Sequence, residues 1–321
     1  MLGTVGESVV SRPLGLIGVP TSAGAFAPGQ EQAPRALRDA GLPGHLHAGG
    51  VHVNDRGDLQ PCRWRPDRAH PHAQNVATVV EIVQETARRV AEATDAGEAT
   101  LVLGGDCTVG IGTVAGHTAR DERLGLLYLD AHADCNVPAS VREGALDWMG
   151  LAHMLGEEGA VRALVEAGPR APLLAPEQVV LVGWDAGQAT AFERDVLERR
   201  GIGIVAATEI SGDPEGAARR ALALVEDRCE RLLVHFDVDL IDFTDVPLSE
   251  NWGRNEGVAY THALRALGAL LGDPRVAGLT ITELNPDHVE AGAGTLERFA
   301  ADVGDALAAA PGIRRDARAG R

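Results

Sequence analysis

Leu127-Tyr128-Leu129-Asp130-Ala131-His132-Ala133-Asp134 is an apolar run that ends in three potential metal ligands spaced two residues apart. On extended backbone successive side chains point to opposite faces, so Asp130, His132 and Asp134 can face one way where the strand runs out. Alone, such an edge fits either a cation or a hydrogen-bonded cap on a neighbouring helix. Leu232-Leu233-Val234-His235-Phe236-Asp237-Val238-Asp239 repeats the design, with Asp237 and Asp239 again at i and i+2 after an apolar run. Set side by side, the two edges would crowd carboxylates and an imidazole into one cavity. Like charges that close are costly to bury unless cations neutralise them. The pair therefore points to metal binding rather than to two unrelated acidic loops.

Outward from these edges, short apolar runs alternate with stretches of helical periodicity. Strands are predicted at 14–19, 100–103, 124–129, 178–182, 202–205, 232–236 and 276–281. Helices are predicted at 33–39, 74–96, 109–118, 148–156, 189–199, 214–227, 260–271 and 295–310. Gly41 and Pro43 end the first helix, and residues 44–71 give a poor signal, with a strand at 51–53, a turn at Asp55-Arg56-Gly57-Asp58 and a surface excursion beyond. Apolar strands that lack polar alternation and are separated by helices describe a mostly parallel sheet covered on both faces, the α/β class. No repeat or low-complexity linker divides the chain. Residues 13–312 are expected to form a single α/β domain between a flexible arm at 1–12 and a basic tail at 313–321.

In open sheets of this kind ligands bind beyond the carboxyl ends of the strands. Both acidic edges fall there, as do two further stretches. In Leu103-Gly104-Gly105-Asp106-Cys107-Thr108 the paired glycines permit a tight turn, and Cys107 opens the next helix either as a thiolate ligand or as a small packed side chain. In Thr282-Glu283-Leu284-Asn285-Pro286-Asp287-His288, Glu283 ends a strand, where it can hold a cationic substrate group, join the ligands or form an ordinary salt bridge.

The 321 residues include 29 basic and 46 acidic side chains, a formal net charge of −17. Neither nucleic acid nor an anionic membrane attracts such a surface, so neither is expected as a partner. No apolar run reaches the roughly 20 residues that span a bilayer. Met1 to Arg12 lacks the charged-then-apolar order of a secretory signal, so a cytoplasmic location is expected. Cys62, Cys107, Cys135 and Cys229 form no CxxC pair, which fits a reducing compartment.

Taken in order, Gly104-Gly105-Asp106, Asp130-Ala131-His132-Ala133-Asp134, Phe236-Asp237-Val238-Asp239 and Glu283-Leu284-Asn285-Pro286 resemble the ureohydrolase family, which includes arginase, agmatinase, guanidinobutyrase and formiminoglutamase. Gly24, Ala33-Pro34-Arg35-Ala36-Leu37-Arg38 and Asp55-Arg56-Gly57-Asp58 are similar to the family's amino-terminal pattern, so the likeness covers most of the chain. The resemblance implies a three-layer α/β/α fold and two manganese ions sharing a hydroxide that attacks a guanidinium or amidine carbon. Urea and an amine would result, or formamide from a formimino compound. Carried over, Cys107, Asp130, Asp134 and Asp237 would serve one ion, and Asp130, His132, Asp237 and Asp239 the other. Glu283 would face the guanidinium and Asn136 would share in substrate binding. Also implied are a small guanidino or amidine substrate and a homo-oligomer, trimer or hexamer.

The chain departs from the family pattern in three places. Cys107 stands where most members carry histidine, and a thiolate suits zinc, iron or nickel better than manganese. Asp147, in Gly144-Ala145-Leu146-Asp147-Trp148-Met149, takes the place of a histidine, and an ordinary aspartate is ionised near neutrality and donates a proton poorly to a leaving amine. His288 is the better candidate proton carrier among the remaining histidines. His235 is expected to support the ligands from behind, and His153 and Cys135 to pack. Gly183-Trp184-Asp185 lacks the arginine-aspartate pattern with which arginases hold the α-amino acid end. The expected activity is therefore metal-dependent C–N hydrolysis of a guanidino or amidine compound other than free arginine. The alternative left open by Cys107 and Asp147 is a catalytically altered or non-catalytic protein of the same fold with a structural or ligand-sensing role.

Overall fold

A computed structural model describes residues 12–119, 123–251 and 256–313. Eight strands form one sheet: β1 Leu14–Gly18, β2 Val53–Asp58, β3 Ala99–Leu103, β4 Leu124–Leu129, β5 Val179–Trp184, β6 Gly203–Ala206, β7 Arg231–Asp237 and β8 Val276–Thr282. Their order across the sheet is β2-β1-β3-β8-β7-β4-β5-β6, and every neighbouring pair runs parallel. Period-two geometry divides β4 between two cores. Leu127 and Leu129 face helices that include Ala33–Asp39, Pro214–Leu224, Tyr260–Leu271 and Thr295–Ala309. Leu126 and Tyr128 face the opposite layer, with Val76–Asp95, Val109–Thr118, Gly150–Met154 and Ala191–Arg200. Burial of both faces explains why β1, β3 and β4 lack polar alternation. The architecture is three-layer α/β/α.

Local departures from the expected elements have physical causes. Asp55-Arg56-Gly57-Asp58 is not a turn but most of β2, an edge strand whose charges are paired. Arg56 donates to Glu98 at 2.6 Å, and Arg38 reaches Asp55 at 2.6 Å and Asp58 at 2.8 Å. Charged edge strands of this type discourage pairing with other chains. A helix at Leu42–Ala48 was masked in the sequence by Pro43, which sits in its first turn, where no backbone donor is needed. The helix expected at 148–156 is broken. Asp147–Met149 forms a 3₁₀ turn with Trp148 at φ −81 and ψ 22, and Gly150–Met154 follows as a short α-helix. The expected arm and tail lie outside the described residues, apart from Arg12 and Ile313, which bridge one another. Among the described residues no helix is long and apolar enough to cross a membrane.

Candidate metal centre

β3, β8, β7 and β4 are neighbours in the middle of the sheet, so their carboxyl ends open on one edge. Beyond β3 the chain passes Gly104-Gly105 to Cys107. The second glycine is needed for close approach, since a Cβ there would lie 1.6 Å from the Thr21 carbonyl oxygen. β4 delivers Asp130 and His132, β7 delivers Asp237 and Asp239, and β8 delivers Glu283. Two groups of potential ligands result, each with its donor atoms within 4.8 Å of one another: Cys107, Asp130, His235 and Asp237, and then Asp130, His132 and Asp239.

Within the first group the Cys107 thiol donates to Asp237 Oδ2 at 2.8 Å, and His235 Nε2 lies 3.5 Å from Cys107 Sγ. Within the second, His132 Nδ1 lies 3.0 Å from Asp239 Oδ2 and 3.3 Å from Asp130 Oδ1. Gln188 Oε1 and Asn251 Nδ2 flank His132 Nε2 at 3.1 and 3.3 Å. His235, expected to support the ligands from behind, brings its Nε2 within the first group of potential donors without joining the cavity lining. Asp134 belongs to neither group; its backbone turns at φ 49 and its Oδ2 accepts the Tyr128 hydroxyl at 2.5 Å.

The electrostatics of the centre are those of too much negative charge. Burial, and then the Asp239 charge, pushes Asp130 up to about 7. Burial, Asp239 and Asp130 hold Asp237 well above the usual carboxylate range. Burial and Asp237 push the Cys107 thiol up. Asp239 alone falls below its ordinary value, because the His132 charge and the hydrogen bonds from His132 and Asn251 together outweigh burial, and His132 is raised in turn by Asp239 and Asp130 against its burial. Asp130 Oδ2 and Asp239 Oδ1 are buried without any hydrogen-bond partner. Orphaned carboxylate oxygens beside further donors are what a divalent cation would satisfy, so the residues present fit bound metal.

Cys107, His132, Asp237 and Asp239 line a cavity of about 610 Å³, together with Phe26, Asn136, Asp147, Trp148 and Glu283 among others, and Asp130 is buried beneath them. Asn136 Oδ1 accepts from Ser140 Oγ and Thr190 Oγ1, both at 3.0 Å. Glu283, at φ 63, accepts from the Cys107 backbone N–H at 2.8 Å and from Gln30 Nε2 at 3.1 Å.

The profile described as "Arginase family" matches residues 12–308. The chain belongs to the arginase family. An arginase of Brevibacillus brevis is 32% identical over 244 residues, covering 74% of this chain and 79% of the relative. Human arginase-1 is 30% identical over 287 residues, covering 87% of each. The solved native structure of arginase from Bacillus caldovelox superposes with a TM-score of 0.82 at 26% identity, over 92% of this chain and 98% of that one.

Family membership does not carry every expected role to its place in this arginase-family chain. His288 does not border the cavity: its Nδ1 bonds the Ser249 carbonyl at 2.8 Å and its ring meets Phe243 edge-on, because the turn at Pro286–His288 directs it away. Asp147 does border the cavity, and it is no ordinary aspartate. Burial, and then the Asp106 carboxylate, pushes it up to about 8. His153 packs, donating to the Met149 carbonyl at 2.6 Å and accepting from Val161 N–H at 3.2 Å, and Cys135 is buried. Gln188, Asn251 and Gln30 were not found from the sequence; they sit outside the strand-end motifs and nothing in the local pattern marks them.

Proposed function

We propose that the protein is a metal-dependent amidinohydrolase that cleaves a C–N bond in a guanidino or related amidine compound other than free arginine. The observation that carries this reading is the pair of donor groups that share the buried Asp130 beneath the cavity, with carboxylate oxygens left unpartnered. Cys107, Asp130 and Asp237 would hold one cation, and Asp130, His132 and Asp239 a second, with manganese suited to the harder second set. Divalent cations bound there supply Lewis-acid charge and an activated water. Water adds to the amidine carbon, the bond to the substituted nitrogen breaks, and the products are urea and a protonated amine.

The chain's own residues divide the remaining work. Glu283 places its carboxyl beside the space for the guanidinium, and although burial and then Asp147 raise its pKa well above the usual range, a bound cation would favour the carboxylate and be drawn inward by it. Asp147, protonated at neutral pH, can give its proton to the leaving nitrogen, which needs one to depart as an amine. Phe26 and Trp148 narrow the cavity and limit water. The lining also carries Glu143, Asp185 and Glu256 and, among the described residues, no arginine. A substrate α-carboxylate would be repelled there, whereas a neutral or cationic tail would not. The test is urea or formamide release from a panel of guanidines with added manganese, zinc, iron or nickel. Turnover is expected to be greater for guanidines without an α-carboxylate than for arginine, and no turnover with any metal would contradict the proposal.

A further inference from the structure

We infer that His235 supplies the imidazole missing at position 107, so that Cys107, Asp130, His235 and Asp237 form one cation site selective for zinc or ferrous iron over manganese. The inference rests on the proposal that cations occupy the cavity floor and adds which side chains hold the first of them. All four residues are buried, and one donor atom from each lies within 4.8 Å of the others.

The ring is held in place. Tyr128 stacks on His235 with centroids 4.2 Å apart and planes 5° from parallel. Thr282 Oγ1 lies 3.0 Å from Nε2, the nitrogen that faces Cys107 Sγ, a contact that a cation on Nε2 would replace. On the far side is Gly110, where a Cβ would come within 2.8 Å of His235 Nδ1. The helix Val109–Thr118 therefore lacks a side chain at the point where the ring needs room. Two features of the sequence meet here. A cysteine is shorter than a histidine, so the end of β3 leaves a gap beside the carboxylates. His235, two residues before Asp237 on β7, points to the same side of the sheet and fills that gap. Tyr128 adds to the exchange by taking Asp134 Oδ2 in a hydrogen bond, which keeps Asp134 out of the group. A thiolate with an imidazole and two carboxylates is a softer set than carboxylates with an imidazole alone, and softer donors select zinc or iron.

Cobalt(II) is the probe for the full-length protein after chelation. Titration should give a sulfur-to-cobalt charge-transfer band that Cys107→Ser abolishes. His235→Ala should weaken the sulfur-ligated site by more than ~100-fold, beyond the 10–100-fold loss seen when only a support of a ligand is removed. The site of Asp130, His132 and Asp239 should still take up its ion in that variant. Gly110→Ala, which pushes the ring without changing its chemistry, should weaken the same band. A His132→Ala protein leaves His235 as the imidazole at the centre, so X-ray absorption should show sulfur and imidazole scatterers around one cobalt. Zinc should displace that cobalt more readily than manganese does. An unchanged band and affinity in His235→Ala, or a sulfur-ligated cobalt without imidazole, would overturn the inference. A wild-type protein that binds no cation would remove the proposed function as well, whereas one that binds cations and hydrolyses guanidines regardless of His235 would remove this inference alone.

Discussion

Asp147 keeps its proton at neutral pH because burial disfavours its charged form, and because the Asp106 and Asp239 carboxylates oppose a further negative charge. A donor is competent below its pKa, so the leaving-group step should be fastest on the acid side and lose rate as pH rises through about 8. Cations bound at Asp239 would draw that limb to lower pH. Asp147→Asn keeps the shape and removes the proton, so kcat should fall by about 10²–10⁴ and the alkaline limb should vanish from the pH–rate profile. An unaltered profile would show that the proton comes from elsewhere. The grouping of Asp130, His132, Asp237 and Asp239 was legible in the sequence because each acidic edge closes an apolar run, although only Asp237 lies within its strand and Asp239 falls in the turn Val238–Leu240. The state of Asp147 was not, because its neighbours Asp106 and Asp239 come from other strand ends. His288 misled because proximity to Glu283 in sequence does not survive the turn at Pro286.

The broken segment at 147–154 and the helix pair beneath it show what sets the position of the cavity wall. His153 spans the Met149 carbonyl and Val161 N–H as a neutral ring, and burial brings its pKa down to about 4. The unfolded chain takes up this proton near pH 6.5 and the folded chain does not until about 4, so this contribution to stability is lost as pH falls across that interval. In His153→Leu the unfolding free energy from chemical denaturation should be lower at neutral pH, by about 1–3 kcal/mol for the two groups left unpaired, and should depend less on pH in that interval. Helices Val76–Asp95 and Val109–Thr118 approach closely, since a Cβ at Gly116 would lie 2.7 Å from the Ala87 carbonyl oxygen and 2.6 Å from Val90 Cβ. Gly116→Val should cost about 1–3 kcal/mol in chemical denaturation, because backbone must move to admit it. The long helix was legible from its apolar spacing. Strand β2 was not, because an edge strand with paired charges has the composition of a turn, and Leu42–Ala48 was hidden by a proline that a first turn tolerates.

At the scale of the molecule, a parallel sheet collects strand ends from distant parts of the sequence onto one edge, and that edge here is acidic in a chain of formal charge −17. The class of fold followed from uninterrupted apolar strands between helices, but the order β3-β8-β7-β4, which makes neighbours of residues far apart in the chain, is not written in any local pattern. Cations that bind the folded chain alone should stabilise it. At a free concentration of 100 times Kd the gain is about 2.7 kcal/mol, so chelation should lower Tm in wild type and leave it unchanged in a variant carrying Asp130→Ala and Asp237→Ala. The most direct test of a shared cationic centre is anomalous scattering from a crystal of the metal-loaded protein, with data on both sides of the absorption edge. Anomalous peaks are expected between the ends of β4 and β7, one beside Cys107 and one beside His132, with Asp130 touching both. Absence of any peak there, or peaks only at surface carboxylates, would contradict it.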